Sequence, residues 1–380
     1  MSRSKQGTGW ILLMVAAFAG ACVPNGLDLK LLKALTTDLS KNQAIAPFVM
    51  SSLMTQVWLG ARGDTRDEVQ RQPDASFLTS YQSAISDLTD GSSNVTTGVF
   101  NRIYIKHGFS IKSGFKDLLQ NHYFAGVKKF SSAAQAAKEI NSDVATVTRD
   151  RIKKLVSPST LQNAVMVLVS ALYFKGLWLT PFDMTVKGPF LTASGNKQVD
   201  MMKLRTRVPY VKMPHFDAIS LPYTDKNYVM LILRPLTRNM AAVSRLRDSL
   251  DSLDVSDIMK RLRASSVQIS MPRFKIRTEY GLAGTMSQLG IRKIFTSRAD
   301  LGNIADEPLA VDGIIHKVFM EVTENGTEAA GAAAITFVIT SVQPLPIQFT
   351  ADRPIFVIVW NKKHMINLFS AYIGSPNVNG

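Results

Sequence analysis

Residues that could catalyse a reaction are few in this chain, and none has the spacing of a known catalytic motif. The five histidines lie at positions 107, 122, 215, 316 and 364, without the spacing of a metal site. The sequence has no Gly-x-Ser-x-Gly elbow, His-Glu-x-x-His pair, phosphate loop or Gly-x-Gly-x-x-Gly fingerprint. We therefore predict a protein that is not an enzyme and that has no metal or cofactor. A catalytic triad assembled from distant residues remains the enzyme alternative.

The segment that could take part in chemistry is a peptide stretch of unusually small residues, 326–334. From residue 327 to residue 342 it has one charge, Glu328, and no proline, and residues 335–340 are rich in strand-forming types. Without proline every backbone N–H is free, so this stretch could enter an existing sheet as a central strand. Exposed permanently it would favour aggregation, which suggests that the protein uses it. Taken alone, it could equally be an alanine-rich helix or linker.

The flanks of this stretch distinguish between these alternatives. Residues 316–324 have a strand pattern, and residues 349–356 open another strand. Together with the small-residue stretch they resemble the hinge and reactive-centre loop of the serpins. Residues 174–182 are similar to the serpin Phe-Lys-Gly-x-Trp-x-x-Pro-Phe segment. The resemblance extends from about residue 27 to Pro376.

The resemblance implies a mixed α/β architecture, a multi-domain-type α+β fold. It has a large central β-sheet, two smaller sheets, surrounding helices and an exposed reactive-centre loop at about 326–350. It also implies a mechanism, in which a serine protease attacks the loop as a substrate and the cut loop inserts into the central sheet. The protease then stays covalently attached, and the intact protein must be metastable. The alternative is a non-inhibitory extracellular serpin that acts as a binding or carrier protein.

The composition of the hinge favours the inhibitory alternative. Bulky or charged side chains where the loop enters the sheet would block insertion, and here alternate positions are small on both faces except at Glu328. Serpins that inhibit commonly have glutamate at that place. The hinge residues implied by the resemblance are Glu324, Gly326, Thr327, Glu328, Ala329, Ala330, Gly331, Ala332 and Ala333.

The loop length typical of inhibitory serpins, counted from Gly326, puts the scissile bond between Thr340 and Ser341. A small β-branched side chain before the cut suits a shallow apolar pocket of the elastase type. No lysine or arginine lies between residues 328 and 352, so a trypsin-like target is not expected. A shift of the cut to Phe337 would favour a chymotrypsin-like protease.

The chain departs from the family at the residues where the central sheet opens. Ala46 and Val49 stand where serpins usually have two serines, and Ser170 replaces an asparagine. The family's matching histidine, here His316, belongs to a polar cluster at this point. Because a buried polar group without a partner costs about 1–3 kcal/mol, we expect a rearranged network and a sheet that opens with different ease.

The N-terminus indicates secretion. Residues 1–21 have a positive start, an apolar run too short to span a bilayer, and small residues before Cys22. We predict removal of this segment and a single domain over 22–380. The sole cysteine allows no intrachain disulfide, so the core must stabilise the protein. An acylated Cys22, as in bacterial lipoproteins, is the alternative.

The net charge of +15 indicates acidic partners or dispersed surface charge. We predict a monomer whose main partner is the target protease, with a sulfated polysaccharide as a conceivable second partner, and with no nucleic acid or membrane partner. Of two glycosylation sequons, we predict modification of Asn94, which lies in a polar turn, and not of Asn325 at the hinge.

Periodicity predicts the elements that position these residues. Apolar spacing predicts helices over 27–39, 77–88, 111–124 and 133–155. The nearly continuous apolar run at 165–174 predicts a strand covered on both faces, and residues 355–360 and 366–373 predict two further apolar strands.

Overall fold

Two β-sheets organise the chain, which is described here from a computed structural model over residues 25–70, 77–89, 95–123, 125–327 and 345–376. The strands are β1 Gln43–Ile45, β2 Val95–Lys106, β3 Gly126–Phe130, β4 Met166–Leu177, β5 Met184–Thr192, β6 Gly195–Lys212, β7 Phe216–Pro222, β8 Tyr228–Pro235, β9 Arg263–Pro272, β10 Phe274–Gly281, β11 Gly313–Thr323, β12 Gly326–Thr327, β13 Ile347–Thr350, β14 Ile355–Asn361 and β15 Ile366–Ile373.

Helices surround these sheets. They are α1 Asn25–Leu35, α2 Pro47–Gly60, α3 Gly63–Gln70, α4 Phe77–Thr89, α5 Ser113–Tyr123, α6 Ala133–Val147, α7 Pro158–Leu161, α8 Met240–Ser249, α9 Val255–Arg261 and α10 Ala283–Gln288. Within the described ranges, no helix is both long enough and apolar enough to cross a bilayer.

The sheet that contains the hinge has the strand order β10-β11-β12-β4-β2-β3. Strands β4 and β11 pair in parallel over residues 167–172 and 313–318. Beyond this pairing, the short strand β12 lies between them, antiparallel to both. The two long strands are thus in direct contact at one end and separated by the hinge at the other.

Strand β4 is covered on both faces, as its apolar sequence predicts. Leu168 and Leu172 face the main core, whereas Val169 and Ala171 face a second apolar cluster that includes residues of α6. Because successive side chains of a strand point to opposite faces, a strand buried between two layers needs apolar residues at nearly every position.

The second sheet has the order β1-β15-β14-β8-β7-β6-β9-β13, with β5 paired to β6. Strand β6 joins the two halves of this sheet. Residues 195–210 of β6 pair with β5 and β9 in one half, and residues 210–212 pair with β7 in the other half. The two smaller sheets of the prediction therefore run into one another through β6. The mixed α/β fold class is confirmed.

The predicted helix over 133–155 is wrong beyond residue 147. Arg149 and Asp150 have φ angles of 49° and 61°, which end the helix. The Asn141 side chain then accepts the backbone N–H groups of Leu155 and Val156, at 2.6 and 3.0 Å. The apolar pattern extends past the end of the helix because Leu155 is also buried, although it lies in an irregular segment.

The first predicted helix also ends early, at Leu35 instead of residue 39. Beyond it Thr36 donates its hydroxyl to the Leu32 carbonyl, and Asp38 accepts the backbone N–H of Ser40. Such local bonds from side chain to backbone offer the chain an alternative to further helix.

Candidate functional site: the hinge and the sheet that it enters

The hinge begins as strand β12, which occupies the gap between β4 and β11. Gly326 lies opposite Leu177, and Thr327 lies opposite Gly176. Gly326 has a φ of 148°, and a Cβ atom there would lie 2.2 Å from the Gly176 carbonyl oxygen. Only glycine fits this crossing, so the position has a backbone reason for its residue type.

Thr327 follows Gly326 in β12 and has its side chain inside the sheet. Its side chain is 1% exposed, and its hydroxyl lies 2.8 Å from the Tyr223 hydroxyl. The Tyr223 ring stacks on Trp178 with centroids 4.6 Å apart and meets the edge of Phe174 at 5.1 Å. Burial raises the pKa of Tyr223 above its ordinary value. The inner face of the hinge thus meets an aromatic pocket.

The turn before β12 is held by hydrogen bonds from the segment that follows β4. The Trp178 indole N–H donates to the Thr323 carbonyl at 3.0 Å, and the Trp178 backbone N–H donates to the Asn325 carbonyl at 3.0 Å. The Phe182 N–H donates to the Glu324 carbonyl at 2.9 Å. The tryptophan motif that marks the family in the sequence therefore positions the hinge.

The Glu324 side chain fixes the same turn from the other side. Its carboxylate lies 2.8 Å from the Arg273 guanidinium and also accepts the Thr185 hydroxyl. Sequence analysis named Glu324 but missed Arg273, Thr185 and Tyr223, because these partners come from distant strands.

Further down the sheet, His316 is buried and has a partner on each ring nitrogen. Its Nε2 accepts the Ala46 backbone N–H at 3.0 Å, which puts the proton of the neutral ring on Nδ1. Nδ1 lies 2.8 Å from the Ser170 hydroxyl, which in turn donates to the Met50 sulfur at 3.4 Å. Burial lowers the pKa of His316 to about 3.

Val49, the remaining residue of the cluster, takes part through its backbone. Its carbonyl accepts the Asn101 side-chain amide at 3.1 Å. Asn101, Ser170 and His316 face one another across β2, β4 and β11. Of the residues predicted as the sheet-opening cluster, Ser170 and His316 thus lie on the parallel pair, whereas Ala46 and Val49 lie at the start of α2 and bond to His316 and Asn101. The Ala46 backbone N–H and the Met50 sulfur are members of this network that the sequence did not indicate.

The remaining predicted site residues lie outside the described part of the chain. They are Asn94, Glu328, Ala329, Ala330, Gly331, Ala332, Ala333, Thr340 and Ser341. Within the described residues, no group of three or more His, Cys, Asp or Glu side chains is arranged to hold a metal ion.

Comparisons with known proteins agree with this geometry. The family model described as serpin (serine protease inhibitor) matches residues 24–376. Iripin-2 of Ixodes ricinus is 32% identical over 89% of this chain and 89% of its own length. Iripin-4 of the same species is 33% identical over 91% and 92%. Serpin48 of the insect Tenebrio molitor, called highly specific, is 28% identical, with a TM-score of 0.80 over 93% of this chain and 97% of its own. The chain belongs to the serpin family.

Proposed function

We propose that this serpin is a secreted inhibitor of serine proteases that acts as a suicide substrate. The observation that carries the proposal is strand β12, in which Gly326 and Thr327 already pair with β4 and β11. Apart from Glu328, the residues that follow up to Ala334 are small, and no proline occurs up to residue 342. The chain therefore starts a central strand that its next residues can extend without a bulky or charged side chain on the inner face.

The protease cleaves the loop, and the insertion of the cleaved loop into the sheet of this chain then traps the protease. The protease serine attacks the Thr340 carbonyl, the bond to Ser341 breaks, and the amine of Ser341 leaves with the proton. Before water cleaves the resulting ester, the freed segment extends β12 between β4 and β11. This requires separation of the parallel pairing at residues 167–172 and 313–318, where the cluster of His316 lies.

The target class follows from the loop sequence. Thr340 before the cut suits an elastase-type pocket, and Phe337 supports a chymotrypsin-type protease as the second candidate. Secretion rests on residues 1–21. The main core contains residues from Leu27 to Ile373, which supports a single domain over 22–380.

A panel of serine proteases tests the proposal. Incubation with an elastase or a chymotrypsin should give an SDS-resistant complex of the summed mass, whereas trypsin should give none. N-terminal sequencing of the small fragment released from the complex should begin at Ser341. Cleavage without any complex would favour the binding or carrier protein, and a fragment that begins outside residues 338–342 would show that the assigned bond is wrong.

The glycan prediction also bears on inhibition. Thr327, the third residue of the sequon at Asn325, is buried in the sheet, so a glycan at this turn would crowd the hinge. The intact mass of the secreted protein should fall by one glycan in an Asn94→Gln variant and stay unchanged in an Asn325→Gln variant. A glycan mapped to Asn325 would count against inhibition.

A further inference from the structure

Three cations form a row on the exposed face of β6. Lys203, Arg205 and Arg207 alternate with Leu204 and residues 202, 206 and 208, so the three cations share the face that is turned away from the core. Arg205 and Arg207 are exposed. We refer to Lys203, Arg205 and Arg207 as the cation row.

The cation row has no acidic partner in the described part of the chain. Two acidic residues of neighbouring segments have other partners. Asp200 pairs with Lys187 at 2.8 Å, and Glu324 pairs with Arg273 at 2.8 Å. The row therefore presents unneutralised positive charge, and surface charges are commonly placed this way where an acidic partner binds.

One end of the row lies beside the start of the reactive loop. The Asp183 N–H donates to the Lys203 carbonyl at 2.9 Å, and the preceding residue, Phe182, donates to the Glu324 carbonyl at 2.9 Å. Residues 182 and 183 thus connect Lys203 to the turn that precedes the hinge through these two hydrogen bonds.

The other end of the row lies beside the return of the loop. Arg207 pairs with Ser266 of β9, and the next residue of β9, Val267, pairs with Ile347 of β13 in parallel. Since neighbouring strands are about 4.8 Å apart, Arg207 lies roughly 10 Å from the point where the loop rejoins the sheet. The cation row therefore runs between the two ends of the loop.

One exposed apolar side chain borders the row. Met184 is 55% exposed and lies opposite Lys203 in the β5–β6 ladder. A mixture of arginine and exposed aliphatic side chains is typical of surfaces that bind other proteins.

We propose that the cation row and Met184 form a docking surface for an acidic patch on the target protease, next to the active-site cleft of that protease. The inference rests on the proposed function, because a protease engaged on the loop must cover the surface between the loop's two ends. A specific interface buries about 800 Å² per partner, which is more than the few loop residues in a protease cleft provide. A sulfated polysaccharide would use the charges but not the exposed side chain of Met184, so the observations favour a protein partner.

The test compares association rates with a pair of elastases of opposite net charge. The variant Arg205→Glu/Arg207→Glu reverses two charges of the row. Its matched control, Lys116→Glu/Arg298→Glu, makes the same charge change at two exposed residues. Lys116 lies on α5 and Arg298 lies between α10 and β11, so neither belongs to the strand that carries the row or to the hinge. Melting temperatures of all three proteins establish that they are folded.

With the acidic elastase, the row variant should form the SDS-resistant complex about tenfold more slowly at low ionic strength, and high salt should reduce the difference. The control variant should match the original protein, and the number of inhibitor molecules consumed per protease should not change, because docking precedes cleavage. With the basic elastase, the row variant should not be slower.

Three outcomes would overturn the inference. Equal rates for the row variant and the control with the acidic elastase would remove the docking surface but leave the inhibitor proposal intact. A rate difference seen only when heparin is added would assign the row to a polysaccharide. The absence of complexes from the original protein with every protease would refute the inhibitor proposal and the docking surface together.

Discussion

At the scale of single residues, His316 couples the stability of the sheet to pH. Burial holds its folded-state pKa at about 3, whereas an unfolded chain has an ordinary histidine pKa of about 6.5. Between these values the unfolded state binds a proton that the folded state does not. The contribution of His316 is therefore fully present above pH 6.5 and is lost as the pH falls towards 3, by at most about 1.4 kcal/mol per pH unit.

We predict that His316→Gln makes the protein less sensitive to acid. Between pH 7 and pH 4.5, the native protein should lose on the order of 2 kcal/mol more stability than the variant. Melting temperatures at matched heating rates measure the difference. His107→Gln serves as the control, because His107 is exposed. If the His316→Gln curve runs parallel to the native curve, the buried neutral histidine is not the source of the pH dependence.

Gly326 allows a second prediction at this scale. Gly326→Ala would place a Cβ atom 2.2 Å from the Gly176 carbonyl at a φ of 148°, so β12 could not keep its position. The expected loss of stability is about 1–3 kcal/mol. The control is Gly313→Ala on β11, where a Cβ would meet nothing within 4 Å. Circular dichroism melts should show a lower melting temperature for the first variant only. Equal values would mean that β12 contributes little to the native state.

At the scale of elements, the sequence predicted features that depend on local pattern better than features that depend on contacts between distant residues. The apolar run at 165–174 correctly predicted a strand covered on both faces, because a strand between two layers has a distinctive composition. The end of α6 was not predicted, because the apolar pattern continues to Leu155. The hydrogen bond that Asn141 accepts from the irregular segment depends on tertiary packing, which the sequence does not show. Arg273 and Tyr223 were missed for the same reason, since nothing in the sequence shows which strands meet at the hinge.

The side chains of β12 indicate which face of the loop must stay small. Thr327 points to Tyr223 and Phe174 in the aromatic pocket, so on insertion Ala329, two residues on, would point the same way. Ala329→Arg would therefore bring an unpaired guanidinium into an apolar site, which costs several kcal/mol.

We predict that Ala329→Arg converts the inhibitor into a substrate. Its loop should be cut at the same bond, but the SDS-resistant complex should fall at least tenfold relative to the cleaved protein. Gln343→Arg is the matched control, because it adds the same charge on the far side of the scissile bond and should still give the complex. Gel densitometry of complex and cleaved protein measures the partition. A complex that survives in Ala329→Arg would show that Ala329 does not enter the sheet on the Thr327 face.

At the scale of the whole molecule, the pairing between β4 and β11 limits how far a strand can extend between them. Strands β4 and β11 share one parallel ladder of six residue pairs, and β12 adds only two residues at its end. An inserted loop would replace that ladder with two, one on each side of the new strand. It would also bury the small side chains that follow Thr327. If the loop inserts, the ladder that holds the cluster around His316 must separate, so the hydrogen bonds of the cluster would oppose insertion.

The last prediction compares the intact protein with protein cut in its loop by a protease that is not trapped. If the cut loop inserts, the gain of a central strand should exceed the loss of the β4–β11 pairing by several kcal/mol. In a chain of this size each kcal/mol raises the melting temperature by roughly 2 °C, so a rise of about 10 °C or more is expected. Cut Ala329→Arg should show a smaller rise, because its arginine opposes insertion on the buried face. Equal melting temperatures before and after cleavage of the native sequence would mean that the hinge stops at β12, and the protein would then act by binding or carrying a ligand.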